Sequence, residues 1–387
     1  MTGLIRSVSL LVCWLIVSFQ AKALVVGAEQ SAIYLPLLKD KQVGLVVNQT
    51  SRVREQHLVD YLLSQHINVK SVFSPEHGFR GDAGAGETIS DGIDVQTGLP
   101  IRSLYGKTKK PTPDMLAGID VLVFDIQDVG ARFYTYISTL HYVMEAAAEQ
   151  GIAILVLDRP NPNGRFVDGP VLEPAFKSFV GMHPIPLLHG MTVGELALMI
   201  RGEQWINQAN SLSLTVIPVF RYRKTNHYSL PVPPSPNLPN DQAIQLYPSL
   251  CLFEATTMSI GRGTPWPFQV LGHPVIQPGN FEFTPVSMPN SAPNPKLMGE
   301  ALRGLDLRSS TVKGFDLSLL IKARDAFAAT DHTFIDRPRF FDLLAGTDVL
   351  RTQMEQGLSE ESIRLSWQSG IEHFLVQRKP YLLYPTH

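Results

Sequence analysis

The sequence predicts an α/β fold: a Rossmann-like, doubly wound parallel sheet with a second, smaller α+β domain. Three observations carry that prediction. Short β-rich runs alternate with helical stretches from Val43 onward. Those over 43–47, 121–124 and 152–157 are apolar throughout rather than at every second residue, which marks strands buried on both faces and hence a parallel sheet. The periodicity then ends in the proline-rich stretch from Tyr228 to Pro239, and mixed short elements follow it.

Val43–Val47 reads as the first strand and ends in Asn48-Gln49-Thr50-Ser51. Residues 58–63 make a short amphipathic helix, and 69–73 a second strand. Residues 121–124 form a third strand, 136–149 a long helix and 152–157 a fourth strand stopped by Asp158-Arg159-Pro160-Asn161-Pro162-Asn163-Gly164. A helix over 192–201 opens on a capping box, with Thr192 as N-cap and Glu195 three residues on. Residues 212–219 close the series as a strand. Beyond the proline-rich segment the expectations are a helix over 297–305, a strand over 312–319, and helices over 336–346 and 359–372. The division expected is a leader over 1–23, a Rossmann-like domain over 24–230, and a C-terminal α+β domain over 231–387 that completes a cleft.

Composition narrows the function classes. The chain has 387 residues, room for two domains at about 150 residues each. Hydrophobic residues make up 44%, which excludes a mainly disordered protein. Lysine and arginine (33) nearly cancel aspartate and glutamate (35), so the electrostatic footprint of a general nucleic-acid binder is missing. Two cysteines, Cys13 and Cys251, build no disulfide scaffold.

Residues 1–23 carry Arg6, an apolar run from Leu10 to Phe19, and Ala21-Lys22-Ala23. That is the pattern of a cleaved secretory signal peptide, and the apolar run is short for a membrane span. No later stretch has the length and polarity of a transmembrane helix. The expectation is an exported protein, periplasmic or extracellular, with no stable membrane insertion and with Cys251 buried and inert.

In an open parallel sheet, ligands bind beyond the carboxyl ends of the strands. Four strands deliver polar residues there: Asn48 after the first; Glu76, His77 and Arg80 after the second; Asp125, Gln127, Asp128, Arg132 and Tyr134 after the third; Asp158, Arg159 and Asn161 after the fourth. Glu76 leaves an apolar strand behind Pro75. A carboxyl there suits a general acid, or else caps a helix or pairs with Arg80. Asp125 and Asp128 read as a base and a partner for Arg132, or equally as buried aspartates bonded to loop amides. Tyr134 and Tyr136 either stack on a sugar or pack. Asp158-Arg159 reads first as a loop ion pair and second as a substrate clamp. His77, Asp82, Asp125 and His189 are available to a metal, but no H-E-x-x-H or paired-histidine spacing accompanies them. No G-x-G-x-x-G follows the first strand, no Walker sequence appears, and G-x-S-x-G is absent. No cofactor is expected.

Six motifs in order resemble the YbbC/NamZ family. They are Ser74-Pro75-Glu76-His77-Gly78-Phe79-Arg80-Gly81, the run Phe124 to Tyr136, Asp158 to Gly164, His189 to Leu196, Pro233-Pro234-Ser235-Pro236-Asn237, and Gly261-Arg262-Gly263-Thr264. The resemblance covers the chain from about residue 40 to its end. It implies an exo-β-N-acetylmuramidase releasing N-acetylmuramic acid from the non-reducing ends of peptidoglycan fragments. It also implies a cleft between two domains, and Glu76 as the catalytic glutamate. Some members carry an acidic residue just before the Gly-Arg-Gly-Thr run, where this chain has Ile260; Arg262 suits the lactyl carboxylate. Two mechanisms follow: Glu76 as acid with Asp125 or Asp128 as base or nucleophile, or attack by the substrate's own 2-acetamido group. A non-catalytic saccharide-binding protein and a metal-dependent hydrolase on the same fold are the alternatives.

Overall fold

A strand with no polar alternation must find apolar cover on both sides, and the structure supplies it. This computed structural model describes residues 24–76, 78–80 and 91–386. The leader, His77, Asp82 and the Gly84-Ala85-Gly86 stretch lie outside the described residues.

In chain order, α1 (Ser31–Leu38) precedes β1 (Val43–Val47), the hairpin of β2 (Arg52–Val53) and β3 (Gln56–His57), α2 (Leu58–Ser64) and β4 (Val69–Ser74). Next come β5 (Gly92–Ile93), β6 (Pro100–Ser103), α3 (Pro113–Leu116), β7 (Val121–Asp125), α4 (Tyr136–Gln150) and β8 (Ala153–Leu157). The hairpin of β9 (Asp168–Val171) and β10 (Pro186–Leu188), α5 (Val193–Gly202) and β11 (Leu214–Ile217) complete this part.

β1, β4, β6, β7, β8 and β11 run parallel in one sheet, with β5 antiparallel at its edge. Taken in chain order, those six parallel strands lie third, second, first, fourth, fifth, sixth across the sheet, the Rossmann order. Successive residues of each central strand enter opposite layers. Val46, Leu122, Phe124, Ile154 and Val156 pack with α4, while Leu45, Val47, Val123, Leu155 and Leu157 pack with α1 and α2. The capping box at Thr192 and Glu195 is present.

The second part holds α6 (Asp241–Leu250), an antiparallel three-stranded sheet and a helical C-terminus. The sheet runs β12 (Val270–His273), β14 (Leu302–Asp306), β13 (Phe281–Phe283); the helices are α7 (Ser318–Ala328), α8 (Pro338–Ala345), α9 (Val349–Glu355) and α10 (Glu360–Gln377). Two expectations are corrected here. Residues 297–305 are not helical: β14 occupies 302–306, and a Cβ on Gly304 would lie 1.8 Å from the Leu271 carbonyl oxygen. Only glycine allows that approach of two strands. Residues 312–319 are not a strand but lead into α7, whose Leu319, Leu320, Ala323 and Phe327 recur at helical spacing and are buried.

Candidate active site

The parallel strands end at one edge, and the second part of the chain stands opposite it. Between them lies a cavity of about 690 Å³ lined from both. Glu76, two residues beyond β4, is on its wall. Its carboxylate accepts a hydrogen bond from Thr135 Oγ1 at 2.9 Å, and its backbone carbonyl accepts one from the Tyr136 hydroxyl at 3.4 Å. The Tyr105 phenol, just beyond β6, lines the same wall; burial first and the nearby Glu76 carboxylate second push its pKa up. Residues from three strand ends thus converge on one carboxylate.

The facing wall is cationic. Arg262 bonds Glu254 Oε1 through Nε at 2.9 Å and through Nη2 at 2.5 Å, and lies 5.0 Å from the Phe268 ring centroid. Lys296 Nζ donates to the carbonyls of Glu254 and Thr256, and burial lowers its pKa. Arg337, before α8, also lines the cavity. Cys251 is buried as expected and sits on the lining, with its thiol pKa raised by burial. Ile260 lines the cavity too, and Glu254 is the acidic group beside Arg262 in its stead.

Of the residues singled out from the sequence as candidates for the site, Glu76, Tyr134, Tyr136 and Arg262 line the cavity. Tyr134 donates to the Pro234 carbonyl at 2.7 Å, and Tyr136 lines the cavity beside it. The other described strand-end groups are not on that wall; all but the half-buried Arg80 form a buried polar framework. Asp125 is fully buried and held by Arg159 at 2.5 and 2.9 Å. Asp128 Oδ2 accepts from the Gly130 amide at 2.6 Å, and burial pushes its pKa up to about 7. Asp158 receives the Thr192 hydroxyl and the Gly194 amide at the start of α5, with its pKa raised by burial to about 6.

Asn48 turns back on Thr50, and Gln127 donates to the carbonyls of Asp128 and Pro160. Asn161 donates to the Met191 carbonyl, and Gly130, at φ 81, takes a conformation whose Cβ would strike the Asn161 amide. Arg80 pairs with Asp94. Arg132 spends its guanidinium on four carbonyls, two near the β9–β10 hairpin and two at the end of α8. Asp125, Asp128, Arg132, Asp158 and Arg159 are thus not on the lining of this cavity, and each is paired or hydrogen-bonded within the fold, as buried charge requires.

Sequence reasoning did not single out Tyr105, Thr135, Phe179, Glu254, Lys296 or Arg337, all on the cavity lining. Thr135 stands inside a motif already noted, which was a usable signal. Of the others, Tyr105 follows β6, Phe179 lies between β9 and β10, and Glu254, Lys296 and Arg337 come from the second part of the chain, so only the fold brings them close. Among the described residues, no cluster of three or more His, Cys, Asp or Glu side chains suits a metal ion, and no helix is long and apolar enough to cross a membrane.

Comparison with known proteins gives a concordant result. Residues 43–242 match a family model described as the N-terminal part of exo-beta-N-acetylmuramidase NamZ, and residues 245–384 match its C-terminal counterpart. The chain is 41% identical over 373 residues to the peptidoglycan beta-N-acetylmuramidase NamZ of Bacillus subtilis (strain 168), covering 91% of this chain and 89% of that one. Two crystal structures of DUF1343 family proteins from Bacteroides fragilis NCTC 9343 share the fold. One has a TM-score of 0.85 at 47% identity, covering 94% of this chain and 99% of that one; the other has 0.80 at 32%, covering 93% and 99%.

Proposed function

Because the chain belongs to the NamZ family of exo-beta-N-acetylmuramidases, we propose that it removes terminal N-acetylmuramic acid from the non-reducing ends of peptidoglycan fragments, with Glu76 as general acid. It is a glycoside hydrolase. The observation that carries the finer reading is the setting of Glu76. Glu76 lines the cavity and its carboxylate accepts from the Thr135 hydroxyl, whereas Glu254, also on the lining, is bound by Arg262. A hydroxyl both donates and accepts, so Thr135 holds the Glu76 carboxyl in place in either protonation state.

In this reading the Glu76 proton passes to the glycosidic oxygen as the C1–O bond breaks. Asp125 and Asp128 are outside the lining, which favours the substrate's 2-acetamido oxygen as the attacking group. Water then opens the cyclic intermediate and gives its proton back to Glu76. The lactyl carboxylate meets the cationic wall of Arg262, Lys296 and Arg337, where Arg262 already holds Glu254 through Nε and Nη2 and keeps Nη1 for a ligand.

Glu76→Gln tests the assignment. Turnover of a chromogenic β-N-acetylmuraminide should fall about 10²–10⁴-fold while N-acetylmuramic acid still binds by calorimetry. Undiminished turnover removes Glu76 as the acid. The leader pattern in 1–23 supports export, and N-terminal sequencing of the protein isolated from its host should then begin at Leu24.

A further inference from the structure

We infer that Tyr105 and Phe179 form the subsite for the leaving group, the β-linked hexosamine that departs when the terminal muramyl residue is cut off. The inference rests on the function proposed above, and it comes from the order of contacts along the cavity.

A general acid sits at the bond between two sugars, so the residues on its two sides receive different ones. From Glu76 one aromatic series leads through buried rings to Arg262. The Glu76 backbone carbonyl meets the Tyr136 hydroxyl, Tyr136 meets Tyr134 at 5.0 Å between ring centroids, Tyr134 meets Tyr247 at 5.8 Å, and Tyr247 meets Phe268 at 5.0 Å. Phe268 lies under the Arg262 guanidinium. That series ends at the charge suited to the lactyl carboxylate, and it is the side for the terminal muramyl residue. These rings are buried, between 1% and 7% exposed.

Outside that series, Tyr105 lies near the Glu76 carboxylate and meets Phe179 at 6.1 Å between ring centroids. Both rings line the same cavity, and both are half-buried rather than buried. The rest of a saccharide chain must run out to solvent, and the half-open aromatic pair gives it a surface to lie on. Tyr142 stacks behind Phe179 at 6.3 Å with the planes 16° apart, which braces the ring. Lys109 covers Phe179 at 4.4 Å from its centroid. A half-buried lysine in such a contact is held weakly, so an arriving sugar displaces it at small cost.

The test compares two substrates. The muramyl-β-1,4-N-acetylglucosamine disaccharide fills the leaving-group side, and β-N-acetylmuramyl fluoride does not. Phe179→Ala should lower the ratio of kcat/KM on the disaccharide to kcat/KM on the fluoride about tenfold, mainly through KM. Phe179→Leu keeps the bulk without the ring and should lower the same ratio, which guards against a folding defect in the alanine variant. A wild-type enzyme that cleaves both substrates, with the ratio unmoved in both variants, overturns the subsite alone. A wild-type enzyme that cleaves neither overturns the proposed function and the subsite with it.

Discussion

Replacing Arg132 with lysine keeps the charge at a fully buried position and removes the fork. Arg132 Nη1 donates to the carbonyls of Pro170 at 2.7 Å and Ile185 at 2.8 Å; Nη2 donates to those of Leu344 at 3.1 Å and Ala345 at 2.6 Å. The first pair belongs to the β9–β10 region and the second to the end of α8, where a cation also meets the helix dipole. Gly346 ends that helix at φ 81, and a Cβ there would lie 2.5 Å from Arg132 Nη2. One ammonium reaches one pair and not both, while its own burial costs as much as before. Losing two bonds to a charged donor, each worth about 1.5 kcal/mol, destabilises the fold by about 3 kcal/mol. Urea denaturation followed by tryptophan fluorescence should show a midpoint lower by roughly 0.5–1 M, given a slope of about 3–5 kcal/mol/M for a chain of this size. At temperatures where the variant is folded, KM should stay within about twofold. An unchanged midpoint with KM raised about tenfold would refute the argument, because Arg132 would then be touching substrate.

Arg262→Gln should cut kcat/KM on muramyl substrates about 10–100-fold and erode the preference over the matching glucosaminide, which lacks the lactyl group; steady-state kinetics on the pair reads this. Asp125→Asn leaves Arg159 buried without its carboxylate and should cost about 3–5 kcal/mol of stability, measured by chemical denaturation. His141, bonded to His183 at 3.0 Å, has its pKa pushed down by burial to about 4. Between pH 6.5 and 4 the unfolded chain therefore takes the proton that the folded one refuses, so stability present above pH 6.5 is lost as pH falls, by about 3 kcal/mol in full. Melting temperature against pH should show a flatter acid limb in His141→Asn; the same slope in both proteins would contradict it.

The parallel sheet was legible because β1 and β8 are apolar throughout and β7 is so up to its last residue, Asp125, a pattern that double-sided burial explains. The start of α5 was legible because Thr192 and Glu195 act locally. β6 escaped notice: it opens on Pro100 and carries Arg102, both ordinary in a strand near a sheet edge and neither apolar. β14 reads as a helix until Gly304 is seen against the Leu271 carbonyl, a contact made across the fold. At the site, strand order pointed to the carboxyl edge, where Glu76 lines the cavity. It could not separate polar groups that line a cavity from those that hold the loops behind it, because both kinds sit at strand ends. Asp125 and Asp158 belong to the second kind, and their partners Arg159 and Thr192 come from other strand ends. Glu254 and Lys296 were out of reach, since their distance from Glu76 is set by packing of the second part of the chain.

The most direct measurement is a crystal structure of Glu76→Gln with muramyl-β-1,4-N-acetylglucosamine bound. The account predicts the disaccharide in the cavity of about 690 Å³, its glycosidic oxygen within hydrogen-bonding reach of residue 76 and its lactyl carboxylate on Arg262. It also predicts the departing sugar against Tyr105 and Phe179. A disaccharide bound elsewhere, or one whose glycosidic oxygen lies nearer Glu254 than residue 76, would contradict it.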